Sequence, residues 1–551
     1  MATSLLNKYL QDSIRQNWEE LALTDFSGVS FQYRDIARKI AKLHILYEQS
    51  GIGHGDKIAL CGKNSAQWAV ALIATLTYGA VAVPILHEFK PDNLHHLINH
   101  CDAKLLFVDN AIWENLDPDK LPALIGVLHI NDYSLLLSRS EKLTDCRSHL
   151  NELFGRKYPE RFLPKDVVYH SAEREDLALI NYTSGSMGFS KGVMVPYRAL
   201  ESNLKFCIDY LKFLKRGDNM ICMLPLAHMY GLTIEMLHGI VRGCHCYFLT
   251  RLPSPRIITE AFASVKPKLI ITVPLILEKI IKTKVFPLLE KPLMKILLKV
   301  PIVDAKLLAK IKKGIEQAFG GSLQEIIIGG AALNKDVEQF LRRIGFPYTV
   351  GYGMTECAPL ISYEKHELAQ EKSCGRIVHR MEATIDSTDP ENVAGELLVR
   401  GDNVMLGYYK NPEATAAAFT HDGWMRTGDL CTIDKDGFIY IRGRSKSMIL
   451  GPSGQNIYPE EIEQMINNMP YVCESVVVEE NHRIIALIYP DIENGIAQGM
   501  TLEQLEQAMR DNVAQLNKQL PSFSQIAGVK VMNEEFEKTP KRSIKRYLYQ
   551  H

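Results

Sequence analysis

The chain has 551 residues, 46% hydrophobic and 23% charged. At roughly 150 residues per domain this implies a few compact units or fewer large ones, and excludes a single small module, a disordered chain and a collagenous one. Sixty-three basic side chains nearly cancel 64 acidic ones, so the whole-chain field draws in neither nucleic acid nor anionic lipid, and any such affinity is local.

In chain order, residues from about 55 to 440 alternate short β-rich apolar runs with helical patterns. Lys57–Cys61, Lys104–Val108, Leu177–Tyr182, Leu269–Val273 and Glu325–Ile328 read as strands. Strands separated by helices imply βαβ crossovers and mostly parallel sheets covered on both faces, with ligands at the carboxyl ends of the strands. Trp68 to Leu86 carries no charge and has the length of a membrane span. A buried helix over Ala66–Tyr78, a turn at Gly79 and a buried strand over Val81–Pro84 fit the same letters and are preferred.

Lys266 to Lys313 holds twelve lysines against Glu278, Glu290 and Asp304. Pro287, Pro292 and Pro301 cut it into short helical pieces. It reads as a solvated lysine face or, functionally, as a patch resting on anionic membrane or an acidic carrier protein. After about residue 380 the strands shorten and the turns become Gly-rich. Beyond Arg444 a strand pair, Glu474–Val478 with Ile484–Tyr489, and a helix near Leu502–Leu520 suggest a small α+β domain. Eleven cysteines without a C-x-x-C spacing point to reduced thiols rather than a zinc site or disulfide frame. With no secretory signal at the N-terminus, the expected location is the cytoplasm, with peripheral contact at the inner membrane face.

Ile180-Asn-Tyr-Thr-Ser-Gly-Ser-Met-Gly-Phe-Ser-Lys-Gly-Val193 carries the most chemistry. A strand runs into a loop with three hydroxyls (Thr183, Ser184, Ser186), two glycines (Gly185, Gly188) and Lys191. Glycines let backbone N–H groups close on an anion, hydroxyls donate to its oxygens and the lysine adds charge, so the loop suits a polyphosphate. It is not a Walker loop, because Lys191 follows Ser190 and precedes Gly192. Alone, such a turn is as often structural.

Further along stand Tyr352-Gly-Met-Thr-Glu356, Gly423-Trp-Met-Arg-Thr-Gly-Asp-Leu430, Tyr440-Ile-Arg-Gly-Arg-Ser-Lys446 and Gly454-Gln-Asn-Ile-Tyr-Pro-Glu-Glu-Ile-Glu463. In this order and spacing the five motifs resemble the adenylate-forming superfamily, over roughly residues 30 to 550. The resemblance implies an α/β fold: a large N-terminal domain (1–443) of parallel, helix-covered sheets with a β-rich subdomain at about 380–443, then a small mobile α+β domain (444–551) hinged at Lys446. It implies that Thr183, Ser184, Gly185, Ser186 and Gly188 wrap the β- and γ-phosphates of ATP and that Lys191 adds charge. Glu356 would hold Mg²⁺ and Thr355 would donate to the α-phosphate. Tyr352 would lie against adenine, and Gly330 and Ala331 would line the nucleotide. Asp429 would accept the ribose hydroxyls, with Arg444 reinforcing it. Bland alternatives are an Asx turn for Asp429, a surface carboxylate for Glu356 and ordinary core for Tyr352.

By the same resemblance, a carboxylic acid is joined to AMP and then transferred to the pantetheine thiol of CoA or of an acyl carrier protein. Leu224-Pro-Leu-Ala-His-Met-Tyr-Gly231 resembles the pattern of fatty acyl synthetases, with His228 closing the acyl pocket; a core histidine is the plain alternative. The acid that pairs an amino-acid substrate's ammonium is missing from Leu232-Thr-Ile-Glu-Met236, so a medium- or long-chain fatty acid is expected. One departure stands out. The family's C-terminal adenylation lysine falls at Ser543 in Thr539-Pro-Lys-Arg-Ser-Ile-Lys-Arg546, which leaves Lys541 or Lys545 as substitutes and Lys541 as the chosen candidate. A degraded member that binds nucleotide or acyl-adenylate with weak turnover is the alternative.

Overall fold

The computed structural model describes residues 2–183, 190–250, 255–298, 300–450, 455–481, 483–539 and 543–550. Ser184, Gly185, Ser186 and Gly188 of the hydroxyl-rich loop, and Lys541, lie outside the described residues. Two compact units are present. The larger comprises residues up to 183, 191–382 and 400–418; the smaller is built chiefly from 383–399 and the chain after 419.

The larger unit is organised on an eight-stranded sheet. Its order is Gly407–Tyr408, Lys191–Pro196, Leu177–Thr183, Val81–Ile85, Lys57–Cys61, Ala103–Val108, Gly126–His129 and Leu135–Ser138. The five strands from Leu177–Thr183 to Gly126–His129 are parallel, and antiparallel strands close both ends. All five strands expected from the sequence are present to within a residue at either end. A second sheet places Asn219–Cys222, His245–Phe248 and Leu21–Asp25 parallel, and a third does so for Leu269–Thr272, Glu325–Ile328 and Tyr348–Val350. The α/β class with helix-covered, mainly parallel sheets is therefore observed.

The uncharged stretch after Ala66 resolves as the buried reading requires. A helix spans Ala66–Tyr78, capped where Ser65 Oγ accepts the Trp68 N–H. It ends at Gly79 with φ of 88°, a left-handed turn that suits glycine, and the chain re-enters the sheet over Val81–Ile85, buried throughout. Ala69, Val70, Leu72 and Ile73 are fully buried in protein. Among the described residues no helix is long and apolar enough to cross a membrane.

The prolines of the lysine-rich segment act as helix starters: Pro274 opens 274–280, Pro292 opens 292–297 and Pro301 opens 301–318, where a missing N–H costs nothing. In the smaller unit, residues 395–399, Met425–Ile433 and Ile439–Arg444 run antiparallel. Val472–Glu480 pairs antiparallel with Arg483–Pro490, which pairs parallel with Gly528–Val531. Helices Pro459–Ile466 and Leu502–Asn517 pack Ile462, Ile466, Met509 and Val513 against Val477, Ala486 and Ile488. All eleven cysteines are free thiols.

Candidate active site

In the larger unit the Leu177–Thr183 and Lys191–Pro196 strands pair so that Thr183 stands opposite Lys191, and Thr183 Oγ1 donates to the Lys191 carbonyl at 3.4 Å. The two ends of the hydroxyl-rich loop are thus held side by side at the carboxyl end of a parallel strand, the end where such sheets bind ligands. Tyr408 sits on the neighbouring edge strand, opposite Val193. Its ring lies 4.7 Å from the Lys191 ammonium, measured to the centroid, and its hydroxyl donates to Glu356 Oε1 at 3.0 Å. Burial and the adjacent carboxylate push the Tyr408 phenol well up, so it stays protonated and a donor. Glu356 lies on the tight turn Thr355–Cys357, whose backbone is tied down where the Met405 N–H donates to the Glu356 carbonyl at 2.9 Å. Thr355 is buried and Glu356 half-buried. Tyr352 precedes this turn on a short strand paired with Leu360–Tyr363. Lys191, Tyr408 and Glu356 therefore form one cluster of a cation, a phenol and a carboxylate, with Thr355 next to Glu356 in the chain.

His228 follows a loop pinned from three directions. Asn64 Nδ2 donates to the Leu224 carbonyl at 2.7 Å, and Asn64 Oδ1 accepts the Leu226 N–H at 2.9 Å. Asn181, one turn of strand before Thr183, donates to the Ala227 carbonyl at 2.8 Å. Glu235 accepts the N–H groups of Met223 and Leu224 at 3.3 and 3.2 Å. Glu235 is fully buried, and that burial raises its carboxyl far above the usual range despite the two N–H bonds. After His228 the chain enters a wide π-type turn, Gly231–Leu237, a form enriched at functional sites. Gly231 permits it: a Cβ there would lie 2.8 Å from the Pro225 carbonyl oxygen. Gly330 and Ala331 are exposed just after the Glu325–Ile328 strand, Gly330 with φ of 87°. Tyr230 reaches the same strand end, donating to the Ile327 carbonyl at 3.2 Å.

In the smaller unit, Asp429 and Arg444 are register partners on adjacent strands, with Arg444 Nε 3.2 Å from Asp429 Oδ1. Asp429 is buried while the Arg444 side chain is largely exposed, so the guanidinium covers the carboxylate from the solvent side. Gly428, with φ of 73°, makes the turn before Asp429, and its N–H donates to Glu396. Lys446 is exposed and Ser447 buried. The Thr539 N–H donates to the Ser543 carbonyl at 2.8 Å. Lys545 is held by Glu537, which raises its ammonium.

Comparison with known proteins settles the family. Residues 10–409 match the AMP-binding enzyme family and residues 446–550 match the AMP-binding enzyme C-terminal domain. The chain belongs to the AMP-binding enzymes. It is 30% identical over 462 residues to a long-chain-fatty-acid–CoA ligase of Escherichia coli O157:H7, covering 78% of this chain and 75% of that protein. It is 26% identical over 531 residues to long-chain-fatty-acid–CoA ligase 5 of Rattus norvegicus, covering 87% and 75%. Its fold matches ATP-bound MatB from Rhodopseudomonas palustris with a TM-score of 0.77 at 24% identity, over 99% and 98% of the two chains. This AMP-binding enzyme is an acyl-CoA ligase in the general sense that its relatives share, activating an acyl group with ATP.

Four residues of this AMP-binding enzyme escape motif reading: Tyr408, Asn64, Asn181 and Glu235. Two carried a signal. Asn181 is a polar residue inside an apolar strand, and Glu235 is a carboxylate inside the apolar run 232–241, patterns that demand buried partners. Tyr408 and Asn64 had none, since each meets its partner across a long chain separation.

Proposed function

We propose that this enzyme activates a medium- or long-chain fatty acid as acyl-AMP and passes the acyl group to a pantetheine thiol, of CoA or of an acyl carrier protein. The observation that carries the reading is the Lys191–Tyr408–Glu356 cluster at the mouth of the hydroxyl-rich loop. Joining a carboxylate to the α-phosphate of ATP brings two anions together, so charge must be neutralised and the oxygens held in line. In this reading Lys191 and the loop residues Thr183, Ser184, Gly185, Ser186 and Gly188 hold the β- and γ-phosphates. Thr355 donates to the α-phosphate, Tyr352 lies against adenine, and Gly330 and Ala331 line the nucleotide and the acyl carboxyl group. Asp429 takes the ribose hydroxyls with Arg444 over it. Glu356, a half-buried carboxylate oriented by a neutral phenol, fits the hard oxygen donor that Mg²⁺ takes. Bound there, Mg²⁺ supplies charge neutralisation to the phosphates.

The acid's carboxylate oxygen attacks the α-phosphorus, the bond to the bridging oxygen breaks and pyrophosphate leaves. The thiol sulfur then attacks the acyl carbonyl carbon, its proton goes to solvent or base, and AMP leaves on its phosphate oxygen. His228, on its pinned loop, closes the acyl pocket. The C-terminal domain (444–551) turns about Lys446 between the half-reactions, and Lys541 supplies the adenylation cation in place of Ser543. The protein works in the cytoplasm, with residues 266–313 touching anionic membrane. The degraded-member alternative draws only on Ser543. A pyrophosphate-release assay over a fatty-acid panel, followed by CoA or carrier-protein capture, tests the reading. Chain-length-dependent release supports it; ATP binding with no release for any acid overturns it.

A further inference from the structure

We propose that the short helices at 286–297 form a membrane-docking tip, in which an apolar face enters the interfacial region of an anionic bilayer and neighbouring lysines engage its headgroups. This deepens the membrane contact proposed above and is independent of the ligase chemistry. The sequence interleaves lysines with apolar residues here; the structure adds which of the apolar side chains face outward. Leu288, Leu293 and Ile296 are 48%, 67% and 63% exposed. Leu293 and Ile296 are three apart on the Pro292–Leu297 helix, hence on one face. The other face of the first helix is spoken for: Phe286 and Leu289 pack on the buried core that includes Leu277, Ile281 and Val285, as does Leu298 just after the second helix, and Phe286 meets Phe340 edge-on at 5.7 Å. Core packing thus fixes these helices with three large aliphatic side chains turned out, whereas soluble surfaces normally scatter such residues singly.

Charge selects the occupant. Lys284 and Lys291 are exposed next to the aliphatic residues in the chain, Lys284 one helical turn before Leu288, and half-buried Lys282, which also faces Glu278, lies just before them. Two of the segment's three acids are engaged elsewhere, Glu278 accepting the Asn334 N–H at 2.8 Å and Asp304 pairing with Arg343 at 3.0 Å. Exposed Glu290 sits within the tip beside Lys291, so the lysines outnumber the acid there. A basic rim around an apolar face matches an anionic lipid surface, where lysine stems lie along the acyl boundary and their ammonium groups reach the phosphates. An acidic carrier protein would match the lysines but leave the exposed leucines without a role.

The test is co-sedimentation of the full chain with vesicles of phosphatidylcholine alone or mixed with phosphatidylglycerol, at low and high salt. Binding is expected to the mixed vesicles only, and to weaken with salt. A Lys282→Gln, Lys284→Gln, Lys291→Gln variant is expected to lose about a hundredfold in affinity, at roughly fivefold per lysine. A Leu288→Ser, Leu293→Ser, Ile296→Ser variant is expected to lose at least about tenfold, chiefly in the salt-resistant part. Both variants should keep wild-type turnover of a detergent-free, water-soluble acid, which shows that they fold. Binding to neutral vesicles as strongly, no vesicle binding by an active wild type, or capture of an acidic carrier protein through these lysines without vesicle binding would each overturn the proposal. Vesicle binding by a protein that turns over no acid would leave the docking tip standing and remove the ligase reading alone.

Discussion

The hydroxyl of Tyr408 donates to Oε1 of Glu356 at 3.0 Å, and the face of the same ring holds the Lys191 ammonium. One side chain therefore orients both the carboxylate assigned to Mg²⁺ and the cation assigned to the phosphates. Tyr408→Phe keeps the ring and removes the donor. A hydrogen bond to a charged group contributes about 1.5–3 kcal/mol, so the affinity for Mg²⁺–ATP should fall about tenfold or more at limiting metal, by calorimetric titration. Tyr408→Leu should fall further by freeing Lys191. Unchanged metal dependence in the Phe variant would show that the phenol does not orient Glu356.

The loop before His228 hangs on buried polar side chains, and Asn64 alone makes two of its bonds. Asn64→Ala strands a backbone carbonyl and an N–H, at about 1–3 kcal/mol each where water cannot reach them. KM for the fatty acid should rise while ATP binding, measured separately, stays near wild type. Equal losses in both would mean the loop serves the whole unit rather than the acyl pocket.

What the sequence made legible follows from range. Lys57–Cys61 and Glu325–Ile328 are strands because their own letters are continuously apolar, and Ala66–Tyr78 is a buried helix because Ser65 and Gly79 cap it. Thr183 and Lys191 could be assigned to one phosphate loop because they stand close together in the chain, but that they face each other on paired strands is seen only in the fold. Tyr408 could not be joined to Glu356, 52 residues away, nor Asn64 to Leu224, 160 residues away: such meetings depend on strand order, which no local pattern encodes. The lysines of 266–313 were visible as composition, but the outward turn of Leu293 depends on which helix face the core takes.

The C-terminal cation can be located by comparing three substitutions. Lys545 is committed to Glu537, so Lys545→Ala should leave pyrophosphate release near wild type. Lys541→Ala should lower it about 10²–10³-fold, the range for one lost contact to a developing charge. It should spare thioester formation from presynthesised acyl-adenylate. Ser543→Lys should raise the release rate. A large loss in the Lys545 variant with none in the Lys541 variant would reverse the assignment.

His238, fully buried beside Arg242, has its imidazole pushed down to about 3, first by burial and then by the guanidinium. The folded state therefore keeps it neutral while the unfolded chain takes up a proton below about 6.5. The unfolded state binds more protons across that window, so stability is full above pH 6.5 and falls as pH drops toward 3. At 1.36 kcal/mol per pH unit the part lost by pH 5 is about 2 kcal/mol, whatever the lower limit of the titration. His245, lowered to about 4 by burial, adds to the same slope. His238→Leu should flatten the fall of the urea midpoint between pH 6.5 and 5 and leave the variant less acid-sensitive than wild type. Identical slopes for the two proteins would mean that His238 already takes up its proton in the folded state.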